Sequence, residues 1–318
     1  MYEDFYGLSE RPFDLTPNPR YLLLTETHRE ALGNLEYGIS ARKGITVLTG
    51  EAGTGKTTLI RTAFERADAA SGGRAGSWAY LKNPRLQQSE FIEFMASRFG
   101  LSAEAAKSKT HMLDELEKRL AGGHRGALIV DEAQSVPLDL LEEIRMLANI
   151  ESDTDKLLPV VLVGQPELAD RLNEPALRQL KQRVALRCTL GPLSLQETGS
   201  YIAGRITIAG GNPGQLFSRE AVKAVYERSR GIPRTISVIC DNALLTGYAE
   251  ELRPIQAKTI ESVCRDFDLQ GTGAGPKRGR AEEGTADVRD PLAGDDTPEG
   301  DSTEPAFTRL LRWGFGRR

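Results

Sequence analysis

The sequence predicts an α/β protein: a parallel sheet covered on both faces by helices, followed by a smaller all-helical unit. Three observations carry this reading. Short apolar runs, "GITVLTG" (44–50), "GSWAYL" (76–81), "GALIVDEAQ" (126–134) and "LLPVVLVGQP" (157–166), are separated by amphipathic helical patterns, which is how parallel strand–helix–strand units are written. After "GPLSL" (191–195) the strand signals stop, and only helical spacing continues to residue 268. The totals, 39% hydrophobic and 27% charged residues, are those of a soluble globular protein.

The elements follow in order. The opening "MYEDFYGLSERPFDLTPNPR" carries Tyr2, Phe5, Tyr6 and Phe13 among charges and prolines. It is too charged for a signal peptide and too aromatic for a disordered leader. Residues 1–29 are therefore expected to fold back across the neighbouring α/β unit. "THREALGNLEYGISARK" (27–43) sets Ala31, Leu32, Leu35 and Ile39 on one helical face. The strand 44–50 ends in glycine and runs into the helix "KTTLIRTAFERADAA" (56–70). The helices "QSEFIEFMASRFG" (88–100) and "HMLDELEKRLAGG" (111–123) both end in glycine, a common helix stop. "LDLLEEIRMLANIE" (138–151) supplies a helix before the fourth strand. The α/β unit is bounded at 30–190 and the helical unit at 191–268, with helical patterns at 196–211, 218–231, 233–251 and 255–267.

The totals also exclude. A net charge of −4 gives no general attraction to nucleic acid or anionic membrane. Cys188, Cys240 and Cys264 are odd in number and widely spaced, which fits neither a disulfide framework nor a zinc site and is expected of reduced cysteines in the cytoplasm. No apolar run approaches the roughly 18 residues of a membrane span.

The chemistry concentrates in "GEAGTGKT" (50–57), a full match to the phosphate-binding loop G-x-x-x-x-G-K-[ST] between a strand and a helix. Its glycines let backbone N–H groups close around phosphates, and the helix N-terminus favours negative charge. Gly50, Glu51, Ala52, Gly53, Thr54, Gly55, Lys56, Thr57 and Thr58 thus form a candidate ATP site. Lys56 is assigned to the β- and γ-phosphates and Thr57 to Mg²⁺. In "LIVDEAQ" (128–134) a strand delivers Asp131 as a second Mg²⁺ ligand and Glu132 as the base that polarises the attacking water. Strands of a parallel sheet present their C-terminal ends to a ligand, so Gln165 in "LVGQPEL" is placed to sense the γ-phosphate or orient that water. Arg178, Arg183 and Arg187 close the α/β unit, and Arg234 in "RGIPRTIS" opens a helix of the helical unit. An arginine brought to the γ-phosphate stabilises transition-state charge.

Together these residues resemble an AAA+ ATPase: a three-layer αβα nucleotide domain followed by a helical lid. "FYGL.ERPFDLTPNPRYL", "H.EAL..L.YGI", "GEAGTGKTTL", "VDEAQ" and "GQPEL" narrow the resemblance to the ExeA/GspA-like secretion ATPases, which include a branch associated with exosortase and exopolysaccharide loci. The resemblance covers residues 1–268. It implies that Gln165 is sensor 1, Arg234 sensor 2, and Arg183 (or Arg178) an arginine finger reaching into a neighbouring subunit. It therefore implies a nucleotide-dependent homo-oligomer, commonly a ring, with envelope secretion or polysaccharide export proteins as partners. ExeA-type proteins continue into a transmembrane helix and a wall-binding domain. Here an acidic stretch (269–306), expected to be disordered, leads to the basic aromatic "FTRLLRWGFGRR" (307–318), suited to a membrane surface or a partner groove. The expected location is the cytoplasm, peripheral to the inner membrane if that segment attaches. The alternatives are a nucleic-acid-dependent AAA+ ATPase of the transposition or replication-loader kind and a nucleotide-gated scaffold.

The phosphate loop holds no base. The expected adenine pocket is walled by Phe13 and Pro17–Asn18–Pro19 on one side and by Tyr201, Ile202 and Pro233 on the other.

Overall fold

The computed structural model of the protein describes residues 1–16, 18–70, 76–82, 84–152 and 155–267. Pro17 and the two segments expected at 269–306 and 307–318 lie outside the described residues. The chain begins with α1 (Tyr2–Tyr6), α2 (Glu26–Ser40), β1 (Ile45–Gly50) and α3 (Lys56–Ala70). It continues through β2 (Ser77–Leu81), α4 (Gln88–Phe99), α5 (Lys109–Ala121), β3 (Gly126–Val130) and α6 (Leu138–Leu147). Then come β4 (Val160–Gly164), α7 (Glu167–Arg171), α8 (Arg178–Lys181) and β5 (Val184–Leu190). The helical unit holds α9 (Leu195–Ile208), α10 (Pro213–Leu216), α11 (Arg219–Ser229), α12 (Pro233–Ala249) and α13 (Ala257–Asp266).

The five strands are all parallel, in the order β2-β3-β4-β1-β5. Every residue of β1, β3 and β4 is buried, which is why these strands are written as continuous apolar runs. On one face α4, α5 and α6 bury Phe91, Phe99, Leu116 and Ile144 against Leu128, Val130 and Leu162. On the other, α2 and α3 bury Leu35, Ile39, Leu59 and Ile60 against Leu48, Ile129 and Val163. Each such side chain contributes roughly 1.5–3 kcal/mol on leaving water. The fifth strand, β5, was not among those read from the sequence. It is an edge strand paired only to β1, and Ala185, Arg187 and Thr189 face solvent, so "VALRCTL" has no continuous apolar run.

A third core joins the helical unit to the start of the chain. Tyr2, Tyr6, Leu8 and Phe13 are buried among Ile206, Phe217, Ile239 and Leu244. The Tyr2 hydroxyl donates to Asp241 and that of Tyr6 to the Leu252 carbonyl at 3.2 Å. Ser9 donates through both its amide and its hydroxyl to the Ala209 carbonyl. This corrects the expected packing of 1–29 as one segment on the nucleotide-binding unit. Residues 1–13 belong to the helical unit, because the large aromatics find their apolar partners there. Thr25, by contrast, caps α2 on the sheet side.

Candidate nucleotide site

At the C-terminal end of β1 the chain turns through residues 51–55 and enters α3 at Lys56. Gly53 and Gly55 hold φ of 85° and 96°, a left-handed backbone that glycine takes without strain. Thr54 is buried and its hydroxyl donates to the Glu51 carbonyl at 2.8 Å, which pins the loop, while Glu51 and Ala52 stay exposed. The Lys56 ammonium is buried and donates to the carbonyls of Gly50 (2.6 Å) and Glu51 (2.9 Å). Burial pushes its pKa down, while Glu132, Asp131 and Glu51 nearby hold it up.

Asp131 and Glu132 follow β3. The Asp131 Oδ1 accepts the Glu132 amide at 3.0 Å, and its Oδ2 accepts the Tyr80 hydroxyl at 2.6 Å. A hydroxyl such as Thr57 and a carboxylate such as Asp131 are hard-oxygen donors suited to Mg²⁺, which takes one or two protein ligands and completes its shell with phosphate and water. Glu132 sits at φ 52°, a left-handed conformation that costs a non-glycine residue about 1–2 kcal/mol. Its carboxylate accepts from Gln134 Nε2 (2.5 Å) and Gln165 Nε2 (3.4 Å), and the Gln165 amide donates to Gln134 Oε1 (3.2 Å). Such strain persists where surrounding contacts hold it, here the two amide donors on the carboxylate.

The helical unit closes on the loop at one point. Gly231 (φ 73°) leaves no room for a Cβ beside the Leu193 backbone, and Pro233 opens α12. The Arg234 amide donates to the Gly53 carbonyl at 3.1 Å, and a Cβ on Gly53 would collide with that of Arg234. Arg234 is exposed at this contact. Arg178 and Arg183 are also exposed, but Arg183 stands elsewhere. Its carbonyl accepts the Ile45 amide at 3.3 Å, at the opposite end of β1 from Gly50 and about 16 Å away at the rise of a strand.

Beside the loop lies a cavity. Thr54, Gly55 and Thr58 form its floor; Asn18, Tyr21, Leu22 and Leu23 form one wall; Leu193, Tyr201, Arg205 and Pro233 form the other, with His28 between. Of the residues expected in an adenine pocket, Asn18, Tyr201 and Pro233 line it. Phe13 does not: it is 1% exposed, packed edge-on against Phe217 with ring centroids 6.2 Å apart. Ile202 is likewise buried in the helical core, and Pro19 opens the short turn capped by Asn18. Arg205 binds the two walls together. It donates to the carbonyls of Pro12 (2.8 Å) and Asp14 (3.2 Å), with its guanidinium 4.9 and 5.0 Å from the ring centres of Tyr21 and Tyr201. His28 Nε2 lies 3.3 Å from the Thr54 carbonyl and Nδ1 2.7 Å from the Thr25 hydroxyl. A carbonyl only accepts, so Nε2 carries the proton; burial pushes the His28 pKa down.

Tyr80, Gln134, His28, Tyr21 and Arg205 were not read as functional from the sequence. Gln134 had a signal, since it ends the "VDEAQ" run. Tyr80 had only strand alternation. Tyr21 and His28 stand in the quoted "NPRYL" and "H.EAL" runs, which assign them no role, and Arg205 had no signal because its partners in the first 21 residues lie far along the chain.

Residues 39–172 match the model of an AAA domain. The chain is 40% identical over 253 residues to general secretion pathway protein A of Aeromonas hydrophila, an alignment covering 78% of this chain and 45% of that protein. It is 31% identical over 149 residues to the Mu-like prophage FluMu DNA transposition protein B of Haemophilus influenzae, covering 46% of this chain and 47% of that one. The chain therefore spans about half the length of these curated relatives. Among solved structures, the Aeropyrum pernix ORC2 protein matches with a TM-score of 0.64 at 16% identity, over 85% of this chain and 74% of that one. Cdc6p of Pyrobaculum aerophilum matches with a TM-score of 0.62 at 14% identity, over 80% and 70% of the two chains. Fold and loop define an AAA+ protein of the P-loop nucleotide-binding class. Within that class, its similarity over 253 residues is to general secretion pathway protein A.

Proposed function

We propose that this chain hydrolyses ATP with Mg²⁺, and that hydrolysis drives or regulates assembly of a bacterial envelope secretion or exopolysaccharide export system. One observation carries the chemical half. Lys56, Thr57, Asp131 and Glu132 converge at the C-terminal edge of the sheet, and Glu132 is held by two amide donors in a strained backbone conformation. In this reading Lys56 turns from the Gly50 and Glu51 carbonyls to the β- and γ-phosphates. Thr57 and Asp131 would hold Mg²⁺, whose charge would help stabilise the negative charge that develops on the phosphates. Glu132 takes the proton of the attacking water, Gln165 orients that water, and Arg234 reaches the γ-phosphate from the helical unit. The base occupies the cavity walled by Tyr21, Leu193, Tyr201 and Pro233.

The biological half rests on the family and on the relative named for general secretion. Arg183 supports an oligomer: it lies at the far end of β1 and cannot reach its own phosphates, so a finger there serves a neighbouring subunit. Arg178 is the other candidate. No helix among the described residues is long and apolar enough to cross a membrane, and the proposed location is the cytoplasmic face of the envelope, with 307–318 as the attachment. Steady-state phosphate release tests the chemistry. Glu132→Gln should lower turnover by about 10²–10⁴-fold while ATP affinity is kept. Turnover equal to wild type overturns the role of Glu132. Hydrolysis stimulated by DNA and not by envelope components would favour the nucleic-acid-dependent alternative.

A further inference from the structure

The Tyr80 hydroxyl holds a residue that the nucleotide reading assigns to the metal ion. Tyr80 stands on β2, paired in register with Ile129 of β3. Its ring packs on the α2–α3 side of the sheet, where Thr57 opens the second position of α3. Its hydroxyl donates to Asp131 Oδ2 at 2.6 Å. Asp131 Oδ1 is occupied by the Glu132 amide. The carboxylate is therefore held at both oxygens, from its own strand end and from the neighbouring strand.

We propose that Tyr80 is a positioning residue of the Mg²⁺ site, acting through its hydrogen bond to Asp131. With Oδ1 held by the Glu132 amide, the phenol on Oδ2 fixes the rotation of the Asp131 carboxylate before any ion arrives. Outer contacts of this kind are worth 10–100-fold in metal affinity where they orient ligands. The inference rests on the reading of 50–57 and Asp131 as a Mg·nucleotide site and goes beyond it by assigning a residue from a strand that carries no nucleotide motif.

The test is binding of a fluorescent ADP analogue, titrated in EDTA and then with rising free Mg²⁺, for wild type and Tyr80→Phe. The substitution removes one oxygen and keeps the packed ring. The expected result is an unchanged affinity in EDTA and a Mg²⁺ midpoint raised about tenfold or more. A midpoint within twofold of wild type overturns the proposal, as does an equal loss of affinity in EDTA, which would mark Tyr80 as merely structural. Wild-type binding that ignores Mg²⁺ altogether fails the metal site itself, a result distinguishable from failure of Tyr80 alone.

Discussion

The two halves of the candidate nucleotide site are built in opposite ways. The phosphate half is local: a strand end, five loop residues and the first turn of a helix place Lys56 and Thr57, and a second strand end adds Asp131 and Glu132. The base half is assembled from afar. Asn18, Tyr21, Leu193, Tyr201 and Pro233 come from two segments separated by the whole α/β unit, and Arg205 holds those segments together. In the proposed site the phosphate half would bind through backbone geometry, which few sequences can supply, and the base half would need only apolar walls and a clamp, which many sequences can supply.

The largest test of this contrast separates packing from binding at Phe13. Phe13→Ala should cost about 3–5 kcal/mol of stability, measured by denaturant unfolding, because the ring is fully buried against Phe217. ADP affinity of the folded fraction should stay within twofold of wild type; a selective loss of affinity would return Phe13 to the pocket. Next is Lys56→Ala. Losing charge-assisted hydrogen bonds to the phosphates, each worth roughly 1.5–3 kcal/mol, should weaken ADP by about 100-fold in isothermal titration. Tyr201→Ala addresses the other half. It should weaken ADP by up to about tenfold through the lost ring contact and leave pyrophosphate binding unchanged, whereas an equal loss for both ligands would merge the two halves into one.

The smallest effect is the pH response of His28. Burial holds its folded pKa below the usual histidine value, so the unfolded state binds the proton more readily. Its neutral form therefore favours folding above about pH 6.5, and this contribution is lost as pH falls below that value toward the folded pKa. Comparing melting temperatures across that window, His28→Gln should flatten part of the decline. An identical slope in the variant would remove His28 from the account.

What was legible in the sequence follows the same division. Four strands, the loop and the "VDEAQ" pair could be read because each is written in adjacent residues whose pattern has one physical meaning. β5 could not, since an edge strand half open to water carries Arg187 in place of an apolar run. The first thirteen residues announced that they pack, but not where. Tyr2, Tyr6 and Phe13 would suit any apolar surface, and only the tertiary fold selects the helical unit over the nucleotide cavity. Tyr80 is the limiting case. Its role depends on a partner 51 residues after it in the chain, and nothing local marks it.

The most direct measurement of the central claim is a crystal structure of the protein with ADP and Mg²⁺. The account predicts phosphates ringed by the amides of 50–57, the ion on Thr57 and Asp131, and the base between Tyr21 and Tyr201 with Arg205 still bridging the two walls. A base lying outside that cavity, with the phosphates bound as predicted, would contradict the assembled half of the site. Phosphates away from the loop would contradict the whole.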